Sequence, residues 1–98
     1  MNREPAQKRV VVIGGGFSGL AAAYELTRRG IIVEVLERDA EVGGLAGSFA
    51  VGGTRLEKFY HHWFTNDRHV MELINELGLQ QNVLLRQTRT GMYFAKNF

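Results

Sequence analysis

The 98-residue sequence predicts an α/β fold built on one β-α-β unit, and three observations predict it. A β-branched run, Val10-Val11-Val12-Ile13, halts abruptly at Gly14-Gly15-Gly16. A helical pattern follows over residues 17–29. A second β-branched run then fills residues 31–36. Two parallel strands need a crossover between them, and a helix supplies it, almost always in the right-handed sense.

Each element has a local cause. Four consecutive β-branched residues read as a strand buried on both faces. Leu20, Ala21, Ala23 and Tyr24, with small residues between them, read as a helix buried on most sides. Arg28 and Arg29 suit the carbonyl end of its dipole, and Gly30 is a natural terminator. Residues 1–7 are polar, hold the sole proline, Pro5, and read as a loose leader. Beyond the β-α-β unit, residues 48–51 and 54–56 flank Gly52-Gly53, the signal of a type I′ hairpin. Thr65, Asn66 or Asp67 can cap a helix running to Leu77, with Val70, Leu73, Ile74 and Leu77 as its apolar stripe. That stripe reads as core rather than interface. Gly78 followed by Leu79 fits a Schellman ending. Residues 83–87 and 92–95 suggest a second hairpin about Thr90-Gly91.

Composition narrows the function. Hydrophobic residues at 45% and charged residues at 22% are ordinary for a globular chain, and the length allows one domain over residues 1–98. The net charge is +2 and the basic residues are dispersed, so no nucleic-acid arm is present. With no cysteine, disulfides, thiolate metal sites and cysteine nucleophiles are excluded. No apolar run is long enough for a signal-peptide core or a membrane span, and a cytoplasmic location is expected.

Gly14-Gly15-Gly16-Phe17-Ser18-Gly19 matches G-x-G-x-x-G. The pattern is weak alone, but here it follows a strand and opens a helix. Gly14 permits the tight turn, Gly16 lets a pyrophosphate approach the backbone, and Gly19 lets helix and strand lie close. The helix start offers unpaired N–H groups to phosphate, and Ser18 can add a hydroxyl. Glu37 lies eighteen residues beyond Gly19, where a carboxylate can accept hydrogen bonds from an adenosine ribose. Its charge disfavours a 2′-phosphate, whereas adjacent Arg38 favours one.

After Glu37 the chain enters Val42-Gly43-Gly44-Leu45 instead of another crossover helix. A second glycine pair lets backbone pass close to an extended cofactor. On the glycine loop, residues 35–38 and Val42-Gly43-Gly44, the sequence resembles the FAD-dependent amine oxidase, phytoene desaturase and protoporphyrinogen oxidase superfamily. The resemblance implies an incomplete Rossmann-like FAD/NAD(P)-binding fold with added β-hairpins and one helix. It implies FAD as cofactor, held by Gly14, Gly16, Phe17, Ser18, Gly19, Glu37, Arg38, Gly43, Gly44 and Leu45. Many amine oxidases carry arginine after the glycine pair. Leu45 stands there instead, which points toward the desaturase-like and protoporphyrinogen-oxidase-like relatives.

Phe59-Tyr60-His61-His62-Trp63-Phe64 is the densest aromatic segment. The resemblance implies that His62 or His61 contacts the flavin. The plainer reading is that these rings cover a small core with the histidines packed among them. Adjacent histidines do not share a helix face, so no metal site is expected, and no catalytic residue is assigned.

The resemblance also implies that more strands and a substrate-binding domain lie outside this sequence. The chain is therefore expected to be the N-terminal FAD-binding part of a longer oxidoreductase that passes a hydride from substrate to flavin. A small-molecule substrate would be bound by the absent domain, and an uncovered sheet edge invites self-association. Three alternatives stand beside this. One is an NAD-dependent dehydrogenase domain, and another is a non-redox flavin isomerase of the UDP-galactopyranose mutase kind. The third is a nucleotide-binding module without catalysis.

Overall fold

The computed structural model describes residues 5–96. Part of the expected leader, residues 1–4, lies outside the described residues. The described chain falls into two compact units, divided between His61 and His62.

The first unit opens with β1 (Arg9–Ile13), α1 (Phe17–Arg28) and β2 (Ile32–Leu36). β1 and β2 pair in parallel, from Arg9 opposite Ile32 to Ile13 opposite Leu36. α1 packs against both strands. It ends because Gly30 takes φ +76°, which an L side chain resists. The Gly30 amide then donates to the Thr27 carbonyl at 3.0 Å and the Ile31 amide to Leu26 at 3.2 Å. That is the Schellman pattern, and it turns the chain directly into β2.

Neither β1 nor α1 is as buried as expected. Val10 and Val12 are half-buried, but Val11 is 54% and Ile13 87% exposed. β2 alternates likewise, with Val33 and Val35 half-buried and Ile32 and Leu36 exposed. α1 covers one face of the pair and buries no residue fully. A β-branched run therefore marks a strand here without marking two covered faces.

A 3-10 turn (Gly44–Ala46) leads to β3 (Ser48–Val51) and β4 (Thr54–Glu57), which pair antiparallel. Gly52 and Gly53 take φ of +54° and +79°, the two left-handed residues a type I′ turn requires.

The second unit contains α2 (Arg68–Glu76) and a 3-10 turn (Gln80–Asn82). Asp67 occupies the N-cap position, but its carboxylate turns backward to accept the Phe64 amide at 2.8 Å and caps no helix amide. Gly78, at φ +69°, donates to Asn75 and Leu79 donates to Ile74, both at 3.0 Å, completing the expected Schellman ending. Val70, Leu73 and Ile74 are half-buried and Leu77 is exposed, so the stripe is only partly covered.

The second hairpin does not form: neither residues 83–87 nor 92–95 are strand. Gly91 is not left-handed, and the preceding Thr90 is β-branched, so the turn lacks its geometry. Leu84, Leu85 and Met92 stay exposed, and a two-stranded hairpin without a packing face is marginal. The aromatic segment does not cover a core either. Phe59, Tyr60, Trp63 and Phe64 are all exposed, with Phe59 and Tyr60 stacked at 5.1 Å.

Candidate functional site

The glycine loop joins β1 to α1. The Gly14 amide donates to the Leu36 carbonyl at 2.7 Å, which ties the end of β1 to the end of β2. Its φ of +100° makes the turn and requires glycine. Gly16 is the N-cap of α1, and its carbonyl accepts the Leu20 amide at 3.0 Å. No side chain caps this helix start, and no acidic residue lies in its first turn. A Cβ built on Gly16 would meet nothing nearer than the Gly44 Cα at 4.0 Å, so the space before it is open. A Cβ on Gly19 would collide with the Gly14 carbonyl oxygen and crowd Val12. That helix residue can only be glycine if α1 is to lie this close to β1. Phe17 and Ser18 occupy the first turn and are exposed.

Glu37 follows β2 directly. Its Oε2 accepts the Gly15 amide at 2.6 Å and its Oε1 accepts the Asp39 amide at 3.0 Å. The Asp39 and Gly15 amides, aided by the Arg38 amide and charge, hold the Glu37 carboxyl below the usual carboxylate range; desolvation opposes them. A carboxylate has about four acceptor positions, so bonding to both amides leaves capacity for a ligand hydroxyl. The Arg38 side chain is almost fully exposed, 3.9 Å from Asp39.

The second glycine pair docks on the first. The Gly43 amide donates to the Gly15 carbonyl at 2.7 Å, and Gly16 and Gly43 form an isolated parallel bridge. Gly43 takes φ +124° and Gly44 φ +55°. A Cβ on Gly44 would sit 3.1 Å from the Gly16 Cα, closer than ordinary van der Waals contact. Leu45, on the 3-10 turn, is exposed. Arg55 of β4 braces this segment. Its Nε donates to the Ser48 hydroxyl at 2.8 Å, and its Nη2 donates to the Ser48 carbonyl at 3.0 Å and to Glu41 at 3.1 Å.

The first unit thus brings together Gly14 and Gly16 of the β1–α1 turn, Phe17, Ser18 and Gly19 of the first turn of α1, and Glu37, Arg38, Gly43, Gly44 and Leu45 of the segment from β2 to β3. His62 opens the second unit, exposed, with its ring edge-on to Phe64 at 5.7 Å. His61 belongs to the first unit, where its Nδ1 lies 2.9 Å from the Phe59 carbonyl.

Sequence reasoning missed Gly15 and Arg55. Gly15 is the variable position of G-x-G-x-x-G, yet it is buried. A Cβ there would press within 3.0 Å of both Glu37 and Val42. The glycine triplet was the available signal. Nothing in the spacing pointed to Arg55.

A strand, a glycine turn, an uncapped helix start and a carboxylate after the second strand define a Rossmann-type dinucleotide-binding unit. The chain belongs to the NAD(P)-binding Rossmann-like domain family, which it matches over residues 12–77. It is 36% identical to protoporphyrinogen oxidase 2, chloroplastic/mitochondrial, of Arabidopsis thaliana, over 92% of this chain and 18% of that protein. It is 35% identical to the L-amino acid oxidase of Cerastes cerastes, again over 92% of this chain and 18% of the relative. The structure is similar to putrescine oxidase bound to putrescine, with a TM-score of 0.62 and 37% identity, over 74% of this chain and 16% of that one. These similarities place it with the FAD-dependent amine oxidase-like superfamily. The chain spans 18% of the length of the two curated relatives. Among the described residues, no helix is long and apolar enough to cross a membrane.

Proposed function

We propose that this chain is the FAD-binding portion of a flavin-dependent oxidoreductase of the amine oxidase and desaturase kind. The docking of the second glycine pair on the first, through the 2.7 Å bond from Gly43 to Gly15, carries the reading. A simple NAD-binding unit continues from its second strand into another crossover helix. This chain instead folds a second loop back onto the pyrophosphate turn and proceeds to a hairpin.

The residues fit the cofactor. The open space before Gly16 and the uncapped start of α1 suit a pyrophosphate. Glu37 keeps acceptor capacity for the ribose hydroxyls. Ser18 can donate to a phosphate, and Phe17, Arg38 and Leu45 border the site; a flavin contact by His62 is supported by the family resemblance alone. FAD, when bound, supplies the redox chemistry by accepting a hydride from a C–N or C–C bond of the substrate. The residues of this chain bind and orient it.

In this reading residues 1–98 serve as one cofactor-binding domain at the N-terminal end of a longer flavoenzyme. A small-molecule substrate is bound by a domain outside them, which the 18% span of the relatives supports. A cytoplasmic location, with which the cysteine-free sequence is compatible, is checked by cell fractionation. Among the described residues the parallel sheet has two strands, each with one unpaired edge, which supports self-association.

The test is to express the chain, release any bound cofactor and identify it, then titrate the stripped protein with FAD and with NAD. Retention of, or preferential binding to, FAD is expected. A colourless chain that ignores FAD and binds NAD overturns the proposal.

A further inference from the structure

Arg55 lies on β4 opposite Ala50 of β3, yet its guanidinium reaches away from that partner. It donates to three acceptors: the Ser48 hydroxyl, the Ser48 carbonyl and the Glu41 carboxylate. Glu41 lies two residues before Gly43, and Ser48 four residues after Gly44. The two anchors therefore bracket the segment that carries the second glycine pair. The Lys58 amide adds a backbone tie to the Gly47 carbonyl at 3.1 Å.

We infer that Arg55 is a positioning residue: its guanidinium closes residues 41–48 into a fixed loop and so holds the Gly43 amide on the Gly15 carbonyl. Closing a flexible loop costs entropy, and a clamp across its ends carries part of that cost in advance. The ion pair with Glu41 is too exposed to do this alone, since its side chains are 53% and 68% accessible. The planar fork matters more, because it engages a hydroxyl, a carbonyl and a carboxylate from one rigid group. Arg55 needs no contact with the cofactor for this role. Its effect on cofactor affinity rests on the FAD reading, whereas its effect on the loop does not.

The test is amide hydrogen exchange of the full chain by NMR, read at Gly43 and at Gly14, with FAD titrations alongside. Arg55→Met speeds exchange at Gly43 by about threefold to tenfold, the scale of a few exposed hydrogen bonds, and weakens FAD binding by a similar factor. Exchange at Gly14, bonded to Leu36, stays unchanged. Arg55→Lys restores only part of the protection, because an ammonium lacks the fork. Glu41→Ala removes one anchor without touching the hairpin and also speeds Gly43 exchange. Combined with Arg55→Met, it adds nothing further. Unchanged exchange at Gly43 in Arg55→Met and Glu41→Ala overturns the inference. A native chain that ignores FAD and binds NAD while its Gly43 exchange still responds to Arg55 refutes the FAD reading and leaves the clamp standing.

Discussion

The Glu37 carboxylate accepts the Gly15 amide at 2.6 Å, joining the end of the second strand to the middle of the glycine loop. Glu37 therefore braces the loop as well as offering acceptors to a ribose. Replacing it with alanine removes both roles and leaves the buried Gly15 amide without its acceptor. Glu37→Ala is expected to weaken FAD binding about tenfold to a hundredfold, the scale of losing charge-assisted hydrogen bonds. Glu37→Gln keeps a carbonyl acceptor and loses less. Titration of flavin fluorescence measures both, and an affinity unchanged in Glu37→Ala removes Glu37 from the site.

The same bonds set a pH dependence. The Asp39 and Gly15 amides lower the Glu37 pKa in the folded chain, so the unfolded chain binds the proton more readily. The stabilisation from Glu37 is fully present above the ordinary glutamate value of about 4.3, and it is lost as pH falls through the lower folded value. Urea melts from neutral pH down to about pH 3 should show stability declining in that acid window. Glu37→Gln should flatten the part of the decline that Glu37 contributes. An identical acid decline in the two proteins would show that other carboxylates carry it.

The β-α-β unit, the Gly52-Gly53 hairpin and α2 were legible because each is decided locally. β-branched runs, two left-handed glycines and a Gly78 terminator act within a few residues of themselves. What was not legible depended on partners distant in sequence. Burial of Val11 and Ile13 required a second layer over the sheet, which α1 does not supply. The hairpin expected about Thr90-Gly91 required an apolar surface beneath it. At the site, the glycine pattern disclosed Gly14, Gly16 and Gly19, whose jobs lie in one turn. Gly15 and Arg55 escaped notice because their importance comes from Glu37, Val42 and Glu41, reached only after the chain folds back.

Two glycine-to-alanine changes should separate folding from loop docking. In Gly19→Ala the new methyl meets the Gly14 carbonyl oxygen, a backbone atom that cannot move without shifting β1 or α1. A loss of about 1–3 kcal/mol in unfolding free energy is expected, as for other overpacked sites. In Gly44→Ala the methyl instead meets the Gly16 Cα at 3.1 Å, a milder contact than at Gly19, and the φ of +55° adds strain that falls on the second glycine loop. Global stability should fall less, while the Gly43–Gly15 bond opens and FAD affinity drops. Denaturant melts and FAD titrations on both variants check the contrast. Equal stability losses with equal affinity losses would contradict it.

Among the described residues, the two-stranded parallel sheet leaves one edge of β1 and one edge of β2 unpaired, with Ile13 87% exposed. Unpaired edges carry free amides and carbonyls that accept another strand, and apolar neighbours add burial when they do. β1 itself offers no charge after Arg9 to prevent this, since Val10, Val11, Val12 and Ile13 fill the strand, and on β2 only Glu34 is charged. The isolated chain is therefore expected to associate as its concentration rises. Size-exclusion chromatography with light scattering should show mass growing with loading. Ile13→Lys places a charge next to the edge and should return the chain to monomer without disturbing the far face, where Val10 and Val12 meet α1. A constant monomer mass for the native chain at every concentration would rule the edge out as an association site.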